Sequence, residues 1–461
     1  MRGLSILGLF GLACFATASN LRPRNYDAHD YYVLHLASTV APAQIAQRLG
    51  LVHEGQLGEL QDHHIFSASK CGDDVVRDAI KTQRQLRKRG LGGADLLDGV
   101  KLAQKQKLKP RMEKRTIPDV LEGARLENLA ERQAADPSAL AKQSEVAREL
   151  DITDPIFNEQ WHLFNPVQLG HDVNVTDVWL QGITGHNATV AIVDDGLDMY
   201  SDDLKGNYYA DGSYDFNDQQ LEPKPRLPDD RHGTRCAGEV SAVRNNVCGV
   251  GVAYDSKIAG IRILSKSITD ADEAIAMNYA YQHNQIYSCS WGPPDDGKSM
   301  DAPGILIKRA MVNAVQNGRE GKGSIYVFAS GNGAASDDNC NFDGYTNSIY
   351  SITVGAVDRK GQHPYYSESC SANMVVTYSS GSGDAIVGPA THANSKMLII
   401  EIAHYRCWHK PVLFWTWRHI SSCTSCSWHF CTGSFSPSRS ILERHAIFGD
   451  ADSGTYQFGF R

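Results

Sequence analysis

Three polar residues stand where a hydrolytic machine would need them. Asp194 closes the apolar run "ATVAIVD", His232 opens "HGTRCAGEVSAV", and Asn332 follows "SIYVFASG". A carboxylate beside an imidazole fixes the ring's tautomer and stabilises the imidazolium. The imidazole can then take the proton of a hydroxyl nucleophile and return it to the leaving group. A side-chain amide donates to the developing oxyanion, a contact worth ~3–4 kcal/mol. Taken singly, each residue has an ordinary structural explanation: strand-end aspartates cap helices, and lone histidines are satisfied surface groups.

The elements that must carry these residues alternate. "ATVAIVDDGLD", "KIAGIRIL", "IYSCSWG", "SIYVFASGNG" and "SITVGAV" are apolar β-rich runs separated by helix-length segments. This pattern predicts an α/β fold, a mostly parallel sheet with helices on both faces and ligands at the carboxyl ends of its strands. Asp194, Ser290 and Asn332 fall at such ends. Upstream, "DYYVLHLAS", "PAQIAQRLGLVHEG" and "HHIFSAS" predict strand, helix, turn and strand, a small α/β unit. A charged stretch follows with two dibasic pairs, Lys88-Arg89 and Lys114-Arg115. In a secreted chain, an exposed dibasic pair before a new domain suggests a proteolytic boundary.

Secretion is read from the N-terminus. Arg2, the run "LSILGLFGLACFATA" and Ala16-Thr17-Ala18 form a signal peptide over residues 1–18. No later segment is long and apolar enough for a membrane anchor. The formal net charge of -8 argues against a nucleic-acid partner and suits a cationic ligand better. The chain therefore divides into a leader (1–18), a first α/β unit (19–115), a large α/β domain (116–387) and a tail (388–461) of different composition. Asn174 and Asn187 lie in N-x-T sequons.

The ordered motifs "AIVDDGLD", "RHGTRCAGEV", "SWGPPDDGK" and "ASGNG" closely resemble the subtilisin-like serine peptidases. "GYTNSIYSITVGAVD" and "YSESCSA" narrow the resemblance to the kexin/furin-like proprotein convertases, over about residues 150–387. The resemblance makes residues 19–115 an inhibitory propeptide and Lys114-Arg115 its self-processing point. It implies cleavage of proproteins after paired basic residues in the secretory pathway, in the late Golgi, with the chain's own propeptide as inhibitor. Asp295 and Asp343 match the pocket for the final arginine, Asp195 and Asp229 that for the preceding basic residue, and Glu273 and Asp301 positions reading further upstream. Calcium is the implied cofactor. Asp154, Asp203, Val243, Asn246, Val247 and Gly249 match one site, and Asp295, Asp338 and Glu368 a second. A third is incomplete: Asp215 and Glu222 remain, but Gln220 stands where an acid is expected. Cys340 and Cys370 match a disulfide, and Cys236 the family's unpaired cysteine. His63 and His64 are candidates for loosening the propeptide on acidification.

The family's nucleophile motif, Gly-Thr-Ser-Ala-x-x-Pro, is missing. In its place the tail carries "WRHISSCTSCSWHF", whose Cys423, Cys426, His419 and His429 have the ligand types of a zinc site. The genetic code offers another explanation. Read one base out of frame, Trp417–Trp428 can encode Gly-Gly-Thr-Ser-Ala-Ala-Ala-Pro-Leu-Ala-Ala-Gly. In the same frame Leu442–Phe448 can encode Trp-Arg-Asp-Met-Gln-Tyr-Leu, another convertase sequence. Two family motifs in one alternative frame imply a frame-shifted tail, with a retained intron near 387–405. The first expectation is thus a calcium-dependent serine endopeptidase whose literal chain is inactive. The alternative is a non-catalytic secreted pseudo-protease that holds basic peptides.

Overall fold

The computed structural model describes residues 23–116 and 135–380. Residues 1–22, 117–134 and 381–461 lie outside the described residues, and with them the expected leader and the tail stretch expected to be out of frame.

The first unit is built from β1 (His29–Leu36), α1 (Pro42–Leu49), β2 (Val52–Leu57), β3 (Leu60–Ser69), α2 (Val75–Lys88) and β4 (Val100–Lys105). Its four strands form an antiparallel sheet in the order β2-β3-β1-β4. Strand alternation divides β1 between two cores. Tyr32 and Leu34 turn to the unit's own helices, and Tyr31 and Val33 turn the other way, toward the large domain. Beyond β4 the chain runs extended into a two-residue strand, β5 (Glu113–Lys114).

The large domain opens with α3 (Pro137–Glu149) and α4 (Thr176–Leu180). Its sheet contains β6 (Thr189–Asp194), β7 (Tyr214–Asp215), β8 (Lys257–Arg262), β9 (Ile286–Cys289), β11 (Ile325–Ala329), β12 (Ser351–Val357) and β13 (Asn373–Tyr378). The order is β13-β12-β11-β9-β6-β8-β7, and every neighbouring pair is parallel. Strand β10 (Trp291–Gly292) leaves the sheet and pairs with β5 instead. Helix α5 (His232–Ser241) covers one face, and α6 (Asp270–Ala276) with α7 (Ile305–Gly321) covers the other.

Burial on both faces explains the unbroken apolar strands that the sequence shows. Val190 and Ile192 of β6 pack with Cys236, Ala237 and Val240 of α5, whereas Ala191 and Val193 pack on the α6–α7 side. Tyr31, Val33, Leu57, Leu60 and Ile65 of the first unit join that second core. The two units are welded by apolar burial as well as by the strand pairing of β5. The expected Cys340–Cys370 disulfide is formed, with a Cα–Cα separation of 5.5 Å.

Candidate active site

The central strand β6 delivers Asp194 at its carboxyl end, and α5 begins with His232 directly above it. Asp194 Oδ2 lies 2.8 Å from His232 Nδ1, and both residues are buried. Burial alone would drive the imidazole toward its neutral form, but the Asp194 charge prevails and holds its pKa well above the ordinary value. This is the arrangement of a base that must accept and keep a proton during reaction. Cys236, one helical turn on, places its sulfur 3.9 and 4.0 Å from the two ring nitrogens. Asn332 follows β11; its backbone N–H donates to Asp295 Oδ2 at 2.7 Å, and its buried Nδ2 has no partner among the described residues.

The cleft beside this pair holds the chain's own basic segment as an added strand. Lys114 pairs with Trp291 and Glu113 with Gly292 in antiparallel register, and the Arg115 N–H donates to Ser290 O at 2.9 Å. Arg115 is 2% exposed. Its Nη2 reaches Asp343 Oδ2 at 2.6 Å and Asp295 Oδ1 at 3.4 Å, and Nη1 donates to Ala329 O at 2.6 Å. Gly292 forms a wall of this pocket: a Cβ there would lie 2.3 Å from Arg115 Nη2. Burial lowers the guanidinium's pKa, but Asp343 and Asp295 more than reverse this.

Lys114 Nζ meets Asp195 Oδ2 at 2.6 Å and Asp229 Oδ2 at 3.5 Å. Asp195 has a second task that its neighbours in sequence do not reveal. Its carboxylate accepts the backbone N–H groups of Arg231, His232 and Gly233 at 3.0, 3.0 and 2.8 Å. It therefore caps α5 and fixes the helix that carries the histidine. Burial first, then Asp194, push the Asp195 carboxyl upward.

Farther upstream the two expected acids part company. Glu273 accepts the Tyr345 hydroxyl and lies 3.7 Å from Lys109 Nζ; burial pushes its carboxyl up to about 7. Asp301 is exposed, accepts the N–H of Ala302, and pairs with no described basic side chain. Asp270 contacts Lys109 instead, because Asp301 sits on the rim while Asp270 starts α6 beneath the passing segment. Arg111 Nη2 adds a contact to Asp229 at 2.8 Å. Sequence reasoning missed Asp270, Lys109 and Arg111; the register of β5 on β10 is the signal that aligns them.

The residues matched to cations have the chemistry for hard divalent ions. Asp295, Asp338 and Glu368 converge with carboxylate oxygens within 4.8 Å of one another. Burial, then the Asp295 charge, push Glu368 up to about 8 against the opposing Arg115 charge and the Gly333 N–H. A Cβ on Gly331 would come 2.1 Å from Glu368 Oε1, so only glycine leaves that carboxylate in place. At the other site Asn245 bridges Asp154 and Asp203, its N–H lying 3.2 Å from Asp154 Oδ2 and its Nδ2 2.8 Å from Asp203 Oδ1. Val243, in the same turn as Asn246, Val247 and Gly249, donates its N–H to Asp203 O at 2.9 Å. Burial pushes Asp154 up to about 7.

Between the two units, the rings of His35 and His63 stack at 4.3 Å, with Arg309 of α7 3.1 Å from His35 and 2.8 Å from His63. His64 instead meets His53 within the first unit, at 3.2 Å.

The subtilase family model matches residues 185–414. A dibasic-processing endoprotease of Yarrowia lipolytica is 64% identical over 245 residues, 53% of this chain and 25% of its own length. Kexin of Candida albicans is 45% identical over 396 residues, 83% of this chain and 42% of its own length. Furin of Mus musculus is 51% identical over 233 residues, 50% of this chain and 29% of its own length. The chain spans less than half the length of these relatives. The crystal structure of an Aeromonas sobria serine protease in complex with its chaperone gives a TM-score of 0.51 at 20% identity, over 64% of this chain and 57% of that one, a likeness of fold. Fold and strand-end constellation together define a subtilisin-like α/β protein. The chain belongs to the subtilase family, on its kexin-like proprotein convertase branch.

Proposed function

We propose that this chain carries the propeptide and catalytic domain of a calcium-dependent serine endopeptidase that cuts proproteins after paired basic residues in the secretory pathway, in the late Golgi. The observation that carries the reading is the seating of Lys114-Arg115. Its two side chains fill two separate aspartate pockets while its backbone extends strand β10. A substrate strand held in this way presents the bond after Arg115 to the Asp194–His232 pair. His232 takes the nucleophile's proton, Asp194 stabilises the imidazolium, and Asn332 Nδ2 donates to the oxyanion. The same contacts make residues 19–115 an intramolecular inhibitor of a zymogen. Calcium, when bound, neutralises Asp154 with Asp203, and Asp295 with Asp338 and Glu368; the second set underlies the Arg115 pocket.

The nucleophile belongs to the tail. In this reading the codons of Trp417–Trp428, one base out of frame, encode the missing serine helix, and the chain as written does not turn over. The completeness of its acid pockets favours a second reading for the literal chain: a binder of dibasic peptides. Cleavage of a Lys-Arg peptide, with and without calcium, tests the proposal on the literal chain and on one whose tail is restored to the alternative frame. Calcium-dependent cleavage by the restored chain alone supports it. No cleavage by a folded restored chain would sink it.

A further inference from the structure

The third cation position that the family resemblance suggests does not fit a metal ion, because an arginine of this chain already fills it. Arg226 lies on the segment that leads into α5. Its Nε donates to Asp215 Oδ2 at 3.0 Å, and its Nη2 to Gln220 Oε1 at 2.6 Å and to the backbone oxygen of Glu222 at 3.4 Å. These are the three positions at which the resemblance places ligands. The Glu222 carboxylate is turned to other partners, the Tyr200 hydroxyl at 2.9 Å and Lys224 Nζ at 3.4 Å. Gln220 contributes a neutral oxygen.

Charge balance at this place leaves nothing for a divalent ion to compensate. Arg262, fully buried, lies 3.0 Å from Asp215, 2.6 Å from Asp218 and 2.9 Å from Asp230, and Lys266 pairs with Asp218. Arg226, Arg262 and Lys266 thus face Asp215, Asp218 and Asp230, three cations against three carboxylates. A calcium ion here would add two positive charges to a neutral cluster and displace a guanidinium from its acceptors.

We propose that Arg226 is a built-in cation that replaces the third metal ion and holds the segment 215–231 in place without calcium. The cluster reaches the Lys114 side of the cleft at two points. Asp230 Oδ2 accepts the backbone N–H groups of Arg226 and Leu227 at 3.0 Å each, which sets the turn carrying Asp229. Arg262 Nε donates to Asp195 O at 3.2 Å. The Arg226 side chain is thus part of a cluster, shared through Asp215 with Arg262, that borders the pocket receiving Lys114.

The test counts calcium ions per molecule by equilibrium dialysis of the full chain and follows its melting temperature. Gln220→Asp alone gains no ion, because the new carboxylate meets Arg226, and it melts roughly 1–3 °C higher even in chelator. Combining Gln220→Asp with Arg226→Ala removes the resident cation, adds a carboxylate and binds one ion more than the parent. An extra ion on Gln220→Asp alone, or an unchanged count in a folded double variant, would overturn the proposal. If the double variant does not fold, Gln220→Asp alone decides. A parent count of zero would refute calcium at the two other sites and leave these differences in count readable.

Discussion

Two regions of this molecule place guanidinium groups among aspartates, and they differ in what tethers the cation. Arg115 reaches Asp343 and Asp295 from the segment that the proposed function cuts, whereas Arg262 and Arg226 reach Asp215 and Asp230 from within one domain. Arg115 and Arg262 are both almost fully buried. Local electrostatics are therefore similar, and connectivity decides the role. A cation that departs after cleavage leaves an acidic pocket ready for the next basic side chain. One that stays is scaffold.

The contrast can be broken most severely at Arg262. Arg262→Ala leaves buried carboxylates uncompensated and should destabilise the large domain by about 3–5 kcal/mol, measured by denaturant unfolding with or without calcium. Arg115→Ala opens the Asp343–Asp295 pocket to water instead of stranding its charges, and should change the large domain's unfolding free energy by less than about 1 kcal/mol. In the frame-restored chain, Asp343→Asn should lower kcat/KM for Lys-Arg peptides by ~10²-fold or more, since it removes one partner of a buried charge pair.

Acid is the next perturbation. Burial, then His63 and Arg309, push His35 down to about 4. Burial also lowers His63, with Arg309 and Lys101 adding to the effect and the Gln61 carbonyl and Asp62 opposing it. Both rings are neutral in the docked state, so their contribution to docking is complete above the free imidazole value of ~6.5 and is lost as pH falls toward 4. Propeptide dissociation should accelerate roughly tenfold across that window, and replacing both His35 and His63 with leucine should flatten the profile. An unchanged profile would exclude this pair as the sensor. The smallest effect is expected at the rim. Arg111→Ala removes a partly exposed ion pair to Asp229 and should weaken propeptide affinity only about two- to fivefold, less at high salt.

Local features of the fold were legible in the sequence and long-range ones were not. The apolar run ending at Asp194 reads as a buried strand and "HGTRCAGEVSAV" as a helix, and the structure forms them as β6 and α5. The motif resemblance supplied the acids of the arginine pocket and the Cys340–Cys370 pair, and the structure brings both sets together. The capping of α5 by Asp195, the meeting of Lys109 with Asp270, and the Arg226 cluster depend on side chains far apart in sequence, or on a register that no local pattern encodes. Asp301 shows a weaker match: it makes no direct ion pair with a described basic side chain, and its charge reaches Lys109 only behind Glu273 and Asp270.

The central claim is that Lys114-Arg115 is this chain's own bound substrate. Mass spectrometry of the frame-restored chain after incubation with calcium tests it most directly. The account predicts a propeptide ending at Arg115 and a new N-terminus at Thr116, both lost in Arg115→Ala. A chain that remains intact, or one cut elsewhere regardless of Arg115, would contradict it.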